Sequence, residues 1–127
     1  MNMRRLAELE LFDGLDQKSL EAIAHAVKEM SVEEGRVLVR EGDFSQDLTI
    51  IDEGKARVEH NGDLVAELNP GDMFGEAGLL GKELRNATVV AATDMRLITL
   101  DSFDVNRLKA DVPDIKDRIA AVAASRS

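Results

Sequence analysis

Within residues 71–91, GDMFGEAGLLGKELRNATVVA, one carboxylate, one guanidinium and a set of glycines stand close enough along the chain to serve a single ligand. Gly75 and Gly78 flank Glu76, and Arg85 follows Glu76 by nine positions. Glycine lets a backbone amide come close to a ligand, and the free amides at the start of a short helix point toward an approaching anion. An arginine facing the same spot grips two phosphate oxygens with its planar fork, which lysine cannot do. The Glu76 carboxylate accepts hydrogen bonds and so suits a sugar hydroxyl, as acids do in dinucleotide sites. Amides, guanidinium and carboxylate together describe the phosphate and ribose of a nucleotide. Phe74 is read as core and, with Leu79, as apolar lining of the site.

A lone arginine among 25 acidic residues is ordinarily a surface ion-pair partner, here of Glu83 or Asp72, and such pairs are worth little. The surrounding glycines and Glu76 are what turn the balance toward a ligand. The net charge of −9 argues against nucleic acid, because phosphate-backbone binding rests on clustered Lys and Arg. A small anion is still admissible, since charges are screened over about 8 to 10 Å and a local arginine acts nearly alone. The absence of cysteine excludes disulfides, thiolate metal sites and cysteine nucleophiles, and fits a reducing compartment, so cytoplasm is expected. His25 and His60 lie far apart, and no metal is expected, because such centres need several convergent ligands. Glu8 and Glu10 interrupt the apolar start, and no stretch reaches the ~18 apolar residues of a membrane span, so no membrane partner is expected.

The elements that must position these residues read as helix, β region, helix. Asp16 is an N-cap, and Leu20, Ile23, Ala24, Val27 and Met30 recur at helical spacing, predicting a helix over 17–30. Short apolar or alternating runs at 37–39, 48–51, 56–58, 64–68, 88–91 and 96–100 then alternate with glycine turns, the cadence of an antiparallel β fold. Asn61-Gly62 predicts a type I′ hairpin turn. Asn69-Pro70-Gly71-Asp72 reads as a turn and the next regular strand begins only near Ala87, leaving about fifteen residues between them, long for a connection without a function. After Asp101-Ser102 the period is helical again, with Phe103, Leu108 and Val112 to one side, and Pro113 allows a second helix striped by Ile115, Ile119, Val122 and Ala123. At 127 residues the chain predicts one domain, mainly β with helical flanks (α+β): a jelly-roll-like β roll of about eight strands, an N-terminal helix and two C-terminal helices.

FGE at 74–76, Leu79-Leu80, Arg85 and Ala87-Thr88-Val89 resemble the phosphate-binding cassette of the cyclic nucleotide-binding domain family. LFDGLDQKSLEAIA at 11–24, VLVREGDFSQDLTIIDEGKARV at 37–58, ELNPGDMFGE at 67–76 and DSFDVNRLKADVPDIKDRI at 101–119 extend the resemblance to nearly the whole chain. On that footing the expected limits are an N-terminal helical segment at 1–34, a β roll at 35–100 with the cassette at 71–88, and C-terminal helices at 101–127. The resemblance implies that the Gly75, Ala77 and Gly78 amides lie beside the cyclic phosphate and ribose, that Glu76 bonds the 2′-hydroxyl, and that Arg85 pairs with the phosphate. Asn86 stands where Ser, Thr or Ala is frequent, and Ala87 offers its amide.

In this family the last helix commonly closes over the base. Counting from the arginine places the base-capping cation at Arg126, with Arg118 second. Ala77 replaces a larger aliphatic residue, which bears on switching rather than binding; Leu84 replaces a frequent proline. The implied function is a non-enzymatic sensor of cAMP or cGMP that answers through its last helix to an effector protein, or offers that helix's apolar stripe to a second copy. The alternatives are a ligand-free interaction module on a degenerate fold, and the sensor piece of a larger regulator, channel or kinase.

Overall fold

The computed structural model describes residues 3–42, 47–75 and 87–125. Among them, eight strands form two antiparallel four-stranded sheets. The strands are β1 (Lys28–Val32), β2 (Val37–Val39), β3 (Leu48–Glu53), β4 (Ala56–His60), β5 (Asp63–Leu68), β6 (Met73–Phe74), β7 (Thr88–Ala91) and β8 (Met95–Leu100). The first sheet runs β1-β8-β3-β6 and the second β2-β7-β4-β5. This is the expected jelly-roll β roll. The helical flanks are α1 (Met3–Glu8), a 3₁₀ turn (Glu10–Phe12), α2 (Gln17–Ala26), α3 (Ser102–Leu108) and α4 (Ile115–Ser125).

The first sheet separates two cores, which is why its central strands are apolar on both faces. Side chains alternate across a strand. Leu48, Ile50, Ile98 and Leu100 turn outward onto Leu6, Phe12, Ile23, Val105 and Ile119 of the helical flanks. Ile51, Leu97, Met95 and Phe74 turn inward and meet Val39, Ala56, Val89 and Ala91 of the second sheet. Among the described residues the helices pack on the first sheet, and the edge strand β5 of the second is exposed along nearly all its length. The β4–β5 turn has Asn61 at φ 52° and Gly62 at φ 84°, the two positive values a type I′ turn needs, with His60 opposite Asp63.

Three local expectations are corrected. The helix predicted over 17–30 ends at Ala26, and Lys28 onward is strand β1 paired to β8, so the roll starts at Lys28 rather than at 35. Met30 and Val32 also satisfy a two-residue period, and pairing with Leu97 and Met95 outweighs the helical spacing. Met73–Phe74, read as loop, forms a two-residue strand against Thr49 and Ile50. Phe103 does not share a face with Leu108 and Val112: it is 76% exposed. Because α3 begins at Ser102, Val105, Leu108 and Val112 line up at intervals of three and four, and Phe103 falls on the opposite side.

The helix starts are fastened by carboxylates. Asp16 accepts the Ser19 N–H at 2.8 Å. Asp101 accepts the Asp104 N–H at 2.8 Å, while Asp104 accepts the Asp101 N–H at 3.1 Å, a reciprocal capping box. The backbone bond from Ser19 holds the Asp16 carboxyl below the usual carboxylate range. At Asp101 the Asp104 N–H does the same, helped by Lys28. Both folded values are lowered, so their stabilisation is present above about pH 4 and is lost as pH falls through the lower folded values. Thermal midpoints are therefore expected to decline below about pH 4. The decline should be shallower in an Asp16→Asn, Asp101→Asn double variant, and an unchanged acid slope there would contradict the linkage.

Candidate functional site

The chain approaches residues 76–86 along a tightly fastened turn. Asn69 N–H donates to Asp72 Oδ2 at 2.7 Å, Gly71 N–H to the Ile51 carbonyl at 2.8 Å, and Ile51 N–H to the Asp72 carbonyl at 2.9 Å. Asp72 thus fastens the turn through its side chain and its carbonyl. Phe74 follows in β6, opposite Thr49, and is 8% exposed within the inter-sheet core. Gly75 is buried at φ 87°, a left-handed conformation that a side chain disfavours, so glycine there redirects the chain as it leaves the first sheet.

The chain returns in the second sheet. Ala87 is half-buried, and Thr88 opens β7 between β2 and β4. Phe74 and Val89 belong to one cluster, so the inter-sheet core brings the two flanks of the segment together. Thr88 Oγ1 accepts the Glu41 N–H at 3.1 Å, and Glu41 Oε1 accepts the Asn61 N–H at 2.7 Å. Of the expected site residues, Glu76, Ala77, Gly78, Leu79, Arg85, Asn86 and Arg126 lie outside the described residues, as does Leu84.

Beside these flanks the β4–β5 hairpin turns an incompletely covered apolar face inward, the hollow of the roll. Register places Ala66 opposite Val58 and Val58 opposite Val89, so all three face the inside of the roll. Val58 and Leu68 are only partly buried and Ala66 is exposed, so this inward face of the hairpin is not filled by the core. A cavity of about 160 Å³ also lies between the sheets, walled by Val39, Phe74 and Leu97, by the hydroxyl-bearing Thr49 and Thr99, and by the charged Arg36 and Asp47. Among the described residues, no group of three or more His, Cys, Asp and Glu is arranged to hold a metal.

Arg118 is placed elsewhere. From α4 its Nε donates to Asp114 Oδ2 at 3.1 Å, and its Nη1 donates to the Asp13 carbonyl at 2.9 Å and the Leu11 carbonyl at 3.4 Å. This guanidinium ties α4 to the 3₁₀ turn, and capping a base with it would require those bonds to break. Sequence reasoning missed Glu41, which carried no signal as one acid among 25. Its partners lie 20 and 47 positions away and become visible only in the fold.

Two antiparallel sheets closed into a roll, with helices before and after it, define a jelly-roll β roll with helical flanks. A model of the cyclic nucleotide-binding domain matches residues 29–111, and the chain belongs to that family, which is regulatory rather than catalytic. The cAMP-dependent protein kinase regulatory subunit of Schizosaccharomyces pombe is 35% identical over 111 residues, 87% of this chain and 27% of that protein. Thermus thermophilus catabolite activator protein superposes with a TM-score of 0.82 at 30% identity, over 92% of this chain and 57% of that one. The regulatory domain of Toxoplasma gondii PKA, solved with cAMP, superposes with a TM-score of 0.73 at 33% identity, over 84% of this chain and 42% of that one. The chain spans roughly a third or less of the length of the curated relatives it matches. No helix among the described residues is long and apolar enough to cross a membrane.

Proposed function

We propose that this chain is a non-enzymatic, cytoplasmic sensor module that binds cAMP or cGMP in the hollow of the roll and passes the signal to an effector protein through its last helix. The observation that carries the reading is the family match over 29–111, which contains Gly75, Glu76, Gly78 and Arg85 together with the strands that flank them. In this reading the Gly75, Ala77 and Gly78 amides and the Arg85 guanidinium hold the cyclic phosphate. Glu76 accepts from the ribose 2′-hydroxyl, and Asn86 and the Ala87 amide complete the cradle. The partly open apolar face at Val58, Ala66 and Leu68 suits a flat base. Because the chain spans only a fraction of its relatives, the same module suits a place within a larger regulator, channel or kinase.

Isothermal titration with cAMP and cGMP separately tests the reading. Micromolar or tighter binding of at least one is expected, and no heat with either at millimolar ligand rejects it. The lid needs its own test, because α4 buries Ile115 and Ile119 completely and cutting it away would open the helical core. Amide exchange leaves the chain intact: amides of Ile115–Ser125 are expected to gain protection with nucleotide bound, and Arg126→Ala to bind several-fold more weakly. If ligand leaves both exchange and affinity unmoved, the helix is no lid.

A further inference from the structure

We propose that Glu41 is a positioning residue for the nucleotide site, holding two of its walls with two different groups; the inference rests on the cyclic nucleotide reading above. Its backbone N–H donates to Thr88 Oγ1 at 3.1 Å, and its carboxylate Oε1 accepts the Asn61 N–H at 2.7 Å. His60 Nδ1 lies 3.8 Å from the same oxygen. Thr88 is the first residue of β7, and Asn61 heads the turn that joins β4 to β5. Glu41, two residues past the end of β2, therefore binds the hairpin that walls the hollow to the strand that follows residues 76–86.

The ladder alone does not supply this constraint. Pairing of β4 with β7 ends at Glu59 opposite Thr88, and the β4–β5 pairing shifts register between Val58 and Glu59. Past that bulge the turn at Asn61-Gly62 stands beyond the last rung shared with β7, so the ladder to β7 does not reach it. The Glu41 carboxylate supplies that tie from outside the sheet. A wall held before ligand arrives loses less conformational freedom on binding, which appears as tighter affinity rather than as a new contact.

The experiment is calorimetric titration of cAMP and cGMP into the unaltered chain and into Glu41→Ala, Glu41→Gln, Thr88→Val and Thr93→Val. Valine keeps the β-branched shape of threonine, so β7 persists in Thr88→Val while the hydroxyl acceptor is lost. Thr93 is the control: its Oγ1 accepts the Lys55 N–H at 3.0 Å and donates to the Asp94 carbonyl at 2.8 Å, in contacts that do not involve the hollow. Glu41→Ala and Thr88→Val are each expected to bind about 3- to 10-fold more weakly, the range for loss of one hydrogen bond. Glu41→Gln should recover most of the Glu41→Ala loss, since its amide oxygen still accepts from Asn61. Thr93→Val should lower the thermal midpoint at least as much as Thr88→Val yet leave affinity within about 2-fold, because the bonds it removes are of the same kind but elsewhere. The proposal is overturned if Glu41→Ala and Thr88→Val bind as tightly as the unaltered chain. It is equally overturned if Thr93→Val weakens binding as much, which would make the effect one of general stability. An unaltered chain that binds neither nucleotide rejects the underlying reading and this inference with it.

Discussion

Arg85→Ala is expected to bind cAMP or cGMP about 10- to 150-fold more weakly than the unaltered chain, with little change in thermal midpoint. Charge-assisted hydrogen bonds of a guanidinium to a phosphate contribute roughly 1.5 to 3 kcal/mol, and each 1.4 kcal/mol is about a factor of ten in affinity. Screening over about 8 to 10 Å keeps distant charges from compensating, so the loss falls on this one side chain. Arg85→Lys should recover only a fraction of the loss, as the charge returns without the two-pronged geometry. Titration calorimetry on the three proteins reads the outcome, and an unchanged dissociation constant in Arg85→Ala would remove Arg85 from the site.

The second large effect concerns stability. Phe12 is 1% exposed and sits in the 3₁₀ turn between α1 and α2, within the core that joins the helices to the first sheet. Arg118 donates to the carbonyls on both sides of it, Leu11 and Asp13, so the turn cannot readily collapse into a void. Phe12→Ala should therefore fall in the range of about 3 to 5 kcal/mol typical of buried phenylalanine truncation. Set against a total stability of about 5 to 15 kcal/mol, that leaves the chain near its unfolding threshold. Urea titration followed by far-ultraviolet circular dichroism measures it, since the chain has neither Trp nor Tyr. A loss under about 1 kcal/mol would mean that the helical flank does not unfold with the roll as one unit.

Both effects begin from residues whose importance is legible to different degrees. Arg85 stands out in the sequence because a glycine-rich run with an acid and an arginine is a short-range pattern. The same holds for the Asp16 and Asp101 caps and the Asn61-Gly62 turn, where two to four consecutive residues contain the whole physical reason. Phe12 was only one apolar residue in the N-terminal helical segment until the packing showed it between helices and sheet.

The chain by itself determined the class of fold, the places where strands turn and helices begin, and the chemical character of the glycine-arginine segment. Each of these depends on neighbours a few positions apart, so local preference and spacing suffice. Tertiary structure alone decided that residues 28–32 extend as strand, that Phe103 faces outward, that Arg118 locks onto the 3₁₀ turn, and that Glu41 joins the β4–β5 turn to β7. In those cases the neighbours along the chain did not contain the reason, which lay with partners distant in sequence whose contacts exist only once the fold has closed.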